Sequence, residues 1–376
     1  PVEAGFESRE ATVDFGVRGS KTKDLNQVVA FLNAGVQGAD RGIRAIKNHP
    51  VEVTIKNLIS STIPSMLLYL YNRNDPEYKE KARWEKDLFY LIKVPGSDTY
   101  VRIPKPYMYG QVFGSLTERF LEYLDTKDPE AFDQYAQSLV DSMIPTQGDP
   151  ASGLLATAIK PIIENAANYS FFRQRKLLPE GVEQLEPSEQ YGRYTSETAK
   201  LLGKTVSYSP TKIENLLQGY LGGSSRYATG AGDYLINSIK KAAGEQVPEK
   251  PKDISRYPLL YGVTSRTGTM TGQAESVKKF YENRDKFVSV KETYDKLSKQ
   301  GKNKEAKKLA QKNPNLKLAK NFVSTARKMS EINKRIDLIR LSTKLSAEDK
   351  KSKIMILERQ KTALAKNTNK LAKGKK

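Results

Sequence analysis

Cysteine is absent from this 376-residue chain, and histidine occurs once, at position 49. The first absence excludes disulfides, thiolate nucleophiles and thiolate zinc sites. The second leaves any serine–histidine triad or multi-histidine metal site to be built around one residue. His49 precedes Pro50 after a helical stretch, where an imidazole commonly meets the carbonyls of a helix end, so it is read as structural. Long apolar runs are also missing. The most apolar segment, Asn57–Asn72, holds 16 uncharged residues between Lys56 and Arg73. That is short of the ~20 residues that span a bilayer, and Pro64 interrupts it, so a buried core helix is expected there. Pro1–Gly19 alternates its charges without an apolar run, so no secretory leader is expected. A start on proline rather than methionine fits processing, or a fragment of a longer chain.

Nucleotide-binding loops are excluded by spacing. Gly203-Lys204-Thr205 lacks the glycine five residues earlier that a phosphate loop requires, and no G-x-G-x-x-G follows a strand. The acidic residues are scattered without the partners that single out a general acid and base. No catalytic, cofactor-binding or metal-ligating residue is therefore expected, and the chain reads as a non-enzyme that needs no cofactor.

What the chain does have is positive charge, unevenly placed. Thr271–Lys376 carries 30 Lys+Arg against 11 Asp+Glu, which leaves 33 against 32 for everything before it. A concentrated cationic third opposes compaction and is normally retained for a polyanion, either nucleic acid or an anionic membrane surface. Of those 30 basic residues 25 are lysines, which meet phosphate as point charges without bidentate base reading. Five aromatics follow Met270 and none lies beyond Phe322, so there is no platform for stacking single strands. Any DNA contact should be independent of sequence. The expected phosphate or anion contacts are Lys344, Lys350, Lys351, Lys353, Lys361, Lys366, Lys370 and Lys373.

Periodicity gives a mainly α fold with a small β-hairpin: a helical domain followed by a basic helical tail. Leu25–Lys47 spaces its apolar residues three and four apart, and a second helix should start at Pro50. At Leu88–Ile103 the period changes. LFYLIKV, PGSD and TYVRI read as two strands around a proline–glycine turn. Trp84, the only tryptophan, is expected as a core anchor between the Asp75 helix and this hairpin. Domain boundaries are expected at 1–247 for the helical domain, 248–273 for a Pro/Gly-containing linker and 274–376 for the lysine-rich tail. In the tail, Ala319, Phe322, Ala326, Met329, Ile332, Ile336 and Ile339 form one stripe. Ser346 and Asp349 cap a last helix whose stripe is Ile354, Leu357, Leu364 and Leu371. Lys361 and Thr368 occupy the alternate seam positions, which argues against a basic leucine zipper and for an antiparallel helical hairpin or a bundle.

The order of segments resembles a family. AFLNAGVQGADR (Ala30–Arg41), DPEYKEKARWEKDLFYLI (Asp75–Ile92), VRIPKPYMYGQVFGSLTER (Val101–Arg119), RYTSETAKLLG (Arg193–Gly203) and SPTKIENLLQGYLGG (Ser209–Gly223) are similar to phrases of a large polyvalent protein associated domain of tailed phages, the one numbered thirty-eight. SREATVDFGVRGS (Ser8–Ser20) resembles the segment that leads into it. The resemblance implies a non-enzymatic virion component, an internal core or DNA-ejection protein that assembles with its own copies and with other phage virion proteins. It implies a place in the virion interior, with delivery to the host envelope or cytoplasm on infection and contact with DNA or anionic membrane. The alternative is a nucleic-acid-binding accessory domain of a larger polyvalent enzyme whose catalytic part lies upstream.

Overall fold

The computed structural model describes residues 32–132, 135–136, 138–139, 159–171, 175–192, 194–253, 260, 262–269 and 274–373. The start of the expected Leu25–Lys47 helix, Leu25–Phe31, lies outside them. The fold is mainly α, as the periodicity predicts, with a three-stranded sheet and a two-stranded one that pairs Tyr169–Ser170 with Arg175–Lys176. Two compact units divide the chain, 1–67 with 104–247 and 68–103 with 248–376. One unit boundary falls at 247/248. Residues 68–103, expected among the N-terminal helices, pack instead with the C-terminal residues.

In the first unit, helix Leu32–Asn48 is followed by Pro50–Asn57, a π-helical turn at Leu58–Thr62 and the start of Ile63–Asn72. His49 sits between the first two helices, exposed, and its side chain makes no capping bond. Later come helices Glu197–Val206, Pro210–Leu221 and Ser225–Ala242. Ser196 and Ser209 cap the first two of these through the amides of Ala199 and Lys212, with proline at the start of the second. Glu197 accepts from Lys200 at 2.7 Å and Lys240 at 2.9 Å, tying the first of the three to the third. Burial alone would raise the Glu197 pKa, but the two lysines outweigh it and hold the carboxyl below its ordinary value.

The second unit contains the hairpin. Strand β1 (Phe89–Lys93) turns at Val94–Ser97, where Ser97 N donates to Val94 O at 3.1 Å, into β2 (Thr99–Pro104). A third strand, β3 (Thr264–Arg266), adds to β2 in antiparallel register, Tyr100 opposite Ser265. It comes from the stretch that reads as a linker. Helices α1 (Glu275–Lys299), α2 (Asn303–Lys312), α3 (Ala319–Leu341) and α4 (Ala347–Lys373) follow. Their core joins Val277, Phe280 and Phe287 of α1 to Phe322 and Met329 of α3 and Ala365 of α4. Phe322 stacks on Phe280 at 5.2 Å and meets Phe287 edge-on at 5.1 Å. Contacts between α3 and α4 run in opposite directions, Thr325 with Thr368, Asn333 with Lys361 and the Arg340 carbonyl with Lys350. The expected antiparallel pair is thus completed by α1 into a three-helix assembly. Asp349 N donates to Ser346 Oγ at 3.2 Å, the cap read from the sequence.

Trp84 is not a core anchor. It is 47 % exposed and touches Phe89 edge-on with ring centroids 6.5 Å apart. Its helix, Arg83–Leu88, turns Glu85, Lys86 and Asp87 inward, so charged side chains take the buried positions and the indole faces out. Trp84→Ala is therefore expected to cost under about 1 kcal/mol in a urea melt, where a buried indole would cost about 3–5. A loss of the larger size would place the ring in the core after all.

Candidate polyanion-binding face

The lysines expected to meet phosphate divide sharply. Lys350 is buried, and its Nζ donates to Glu249 O at 2.8 Å and Arg340 O at 3.1 Å, with burial pulling its pKa below the ordinary lysine value. Lys361 is buried too, held by Glu358 and by Asn333 Oδ1 at 3.4 Å. Lys351 pairs with Asp98 at 3.3 Å, and Lys366 with Glu80 at 2.8 Å. Arg359 Nε, between them on the helix, donates to Glu77 Oε1 at 3.0 Å. These cations of α4 meet carboxylates and carbonyls of their own unit, Lys350 and Lys361 buried and Lys351 and Lys366 partly exposed. Lys344, Lys353 and Lys370 are exposed. Lys373 ends α4, and its side chain lies outside the described residues.

The free charge lies earlier. Between residues 296 and 320 there are nine lysines, Glu305 is the single acid, and arginine and aromatic residues are absent. All nine of these lysines, at 296, 299, 302, 304, 307, 308, 312, 317 and 320, are exposed. None forms an ion pair or a side-chain hydrogen bond among the described residues, in contrast to Lys350, Lys351, Lys361 and Lys366 of α4.

Local sequence builds this face. At the end of α1, Gly301 takes a left-handed conformation with φ 74°, Lys302 N donates to Leu297 O at 3.0 Å and Gly301 N to Ser298 O at 3.1 Å. This pair of bonds is the glycine-dependent Schellman stop, which closes α1 and redirects the chain into α2. At 100° per residue, α2 turns Ala306, Leu309 and Ala310 to the unit, and these are buried or half-buried. The same spacing puts Lys304, Lys307, Lys308 and Lys312 on the opposite side. Asn313-Pro314 ends α2, and Pro314–Leu318 leads into α3 with Lys317 and Lys320 still outward. From Lys304 to Lys312 the ammonium-bearing row spans about 12 Å of helix axis, a length over which duplex DNA presents about seven charges. Four point cations on one rigid face, without arginine, suit phosphate and not base edges.

Residues 75–260 match the family model of large polyvalent protein associated domain 38. The match marks the chain as phage-associated. It contains the phrases beginning at Asp75, Val101, Arg193 and Ser209, and those at Ser8 and Ala30 lie ahead of it. No curated protein and no solved structure matches the chain. The lysine face at 296–320 lies beyond the matched residues.

Proposed function

We propose that this chain is a non-enzymatic structural component of a phage particle, an internal core or DNA-ejection protein, that holds a nucleic-acid backbone without regard to sequence. The observation that carries the proposal is the row of unpaired, exposed lysines on α2 and its flanks. The phage-associated family supports the setting, and a chain with one histidine and no cysteine offers few groups for catalysis. Contacts of this kind neutralise phosphates and release counterions, so affinity falls steeply with salt.

The test is binding of the intact chain to two unrelated duplexes across a salt series, beside the variant Lys304→Gln/Lys307→Gln/Lys308→Gln/Lys312→Gln. Both duplexes are expected to weaken equally, and the log–log salt slope should flatten by about 0.9 for each phosphate no longer neutralised. The matching set Lys344→Gln/Lys353→Gln/Lys370→Gln is expected to change the slope less. Equal binding by the α2 variant, with an unchanged slope, would refute the assignment.

A further inference from the structure

The chain from Pro50 to residue 67 is built inside out. Toward its unit it turns Asn57, Ser61 and Ser65, the two serines at 0 % exposure. Outward it presents Val51, Ile55, Leu58, Ile59, Ile63 and Leu67, with Ile59 63 % and Leu67 58 % exposed. Its only charges, Glu52 and Lys56, neutralise each other at 2.5 Å. The neighbouring segment, a π-helical Gly110–Ser115 running into Leu116–Thr126, repeats the pattern. Gln111, Ser115, Glu118 and Arg119 are buried, whereas Val112, Leu116, Phe120 and Leu124, every fourth residue, form an exposed stripe.

The two segments meet through small residues. A Cβ on Gly114 would lie 2.7 Å from Ser65 Oγ, and Thr62 Oγ1 donates to Phe113 O at 2.8 Å. Buried charge is closed on itself: Lys105 Nζ meets Glu118 at 2.8 Å, and Arg119 Nη1 donates to Ala131 O at 2.8 Å. In water this arrangement forfeits the main stabilising term, since the seam buries little apolar area and the Ser61 and Ser65 hydroxyls find no partner in it. Against hydrocarbon the same arrangement is the favoured one. Small residues let backbones approach, ionisable groups turn inward and pair, and apolar side chains face out. A second copy of the chain would explain an apolar stripe, but it would not explain a polar, small-residue seam behind it.

We infer that the outer faces of residues 50–67 and 112–124 form a lipid-docking surface that takes the acyl layer of a bilayer and not its charged headgroups. No described helix is long and apolar enough to cross a membrane. The pair therefore lies in the interface, where binding follows the apolar area buried. This surface belongs to the first unit and the lysine face to the second, their chemistry differs, and the test separates them.

The intact chain is floated with vesicles of neutral phosphatidylcholine in about 1 M salt, where the screening length is ~3 Å and lysine attraction is removed. The chain is expected to float. Ile59→Glu, Leu67→Glu and Phe120→Glu should each reduce the bound fraction about tenfold with an unchanged circular dichroism spectrum, because all three sites are exposed. The α2 lysine variant should float normally. A chain that stays below the vesicles overturns the inference. Glutamate variants that dissociate a dimer in light scattering but leave flotation untouched assign the face to a second copy, and also overturn it.

Discussion

Replacing Lys81 with methionine is expected to lower the stability of the unit formed by 68–103 and 248–376 by about 3–5 kcal/mol at pH 7, because it leaves a buried carboxylate without its main partner. Lys81 is fully buried. Its Nζ meets Glu85 at 3.2 Å, Ser265 Oγ and the Arg266 carbonyl, and it lies 4.6 Å from the centre of the Tyr100 ring. Burial is the first cause of its depressed pKa, about 8, and Glu85 opposes that shift. An unfolded lysine titrates near ~10.4, so between pH 8 and that value the unfolded chain holds more protons than the folded one, and stability rises with pH. Over the whole interval the rise is about 3 kcal/mol. Tyr100 works the other way. Its own burial, then its hydrogen bond to Asp75, raise its pKa. Above about pH 10 the unfolded chain releases a tyrosine proton that the folded chain keeps, and stability falls. The native curve should therefore climb from pH 8 to about 10 and then decline, whereas Lys81→Met should lack the climb. Trp84, the single tryptophan and a member of this unit, reports the transition by fluorescence. Parallel curves for the two proteins would show that Lys81 does not carry a buried charge.

The sequence reveals this unit unevenly, and the reason is the range of the interactions. Turn and cap chemistry is local, so the Val94–Ser97 turn, the Ser346 cap and the stripe through Phe322, Met329 and Ile336 are readable from adjacent residues. The segment DPEYKEKARWEKD is the opposite case. Read locally it is a solvated charged run, yet Glu77, Glu80, Lys81, Glu85, Lys86 and Asp87 are all buried. Their partners are far along the chain. Thr269 N donates to Glu77 at 3.2 Å, Ser276 N to Glu80 at 3.1 Å, and Arg359 and Lys366 close the same two carboxylates. Nothing in a short window of sequence announces a partner on a helix at the other end of the chain. Once the charges occupy the interior positions of a six-residue helix, Trp84 has nowhere to go but outward.

The lysine face was partly legible. A heptad reading already puts Lys361 and Thr368 in the seam of α4, and both are buried there. That position disfavours a phosphate contact at Lys361, a conclusion available from spacing alone. The better signal was the balance of charge within short windows: one acid among residues 296–320, against the paired acids and bases of α4. What spacing could not supply is the Schellman stop at Gly301 and the orientation of α2, which turn a run of lysines into a face.

Deleting residues 346–376 is expected to abolish the cooperative unfolding transition of this unit, not merely to remove charge. Helix α4 supplies Ile354 and Ala365 to the interior, and Thr362, Thr368 and Asn369 are buried along the same helix. Asn369 Nδ2 donates to Ser276 O at 2.9 Å, and Asn283 Nδ2 donates to Asn369 Oδ1 at 3.1 Å, so α1 loses these partners as well. Without α4, Glu77, Glu80 and Asp98 also lose Arg359, Lys366 and Lys351, cations that are themselves partly exposed, while emptying the Ile354 site alone costs about 2–5 kcal/mol. A domain is stable by only about 5–15 kcal/mol in total, so the sum of these terms exceeds what the unit holds in reserve. Trp84 fluorescence should then show no sigmoidal urea transition in the truncated chain. The lysine variant of α2, whose four side chains are exposed and unpaired, should keep the native midpoint. A truncated chain with an intact Trp84 transition would make α4 an appended tail and return Lys344, Lys353 and Lys370 to first place as phosphate contacts. If the transition disappears, a fall in DNA binding on truncation reports unfolding, and only the α2 substitutions report the charge itself.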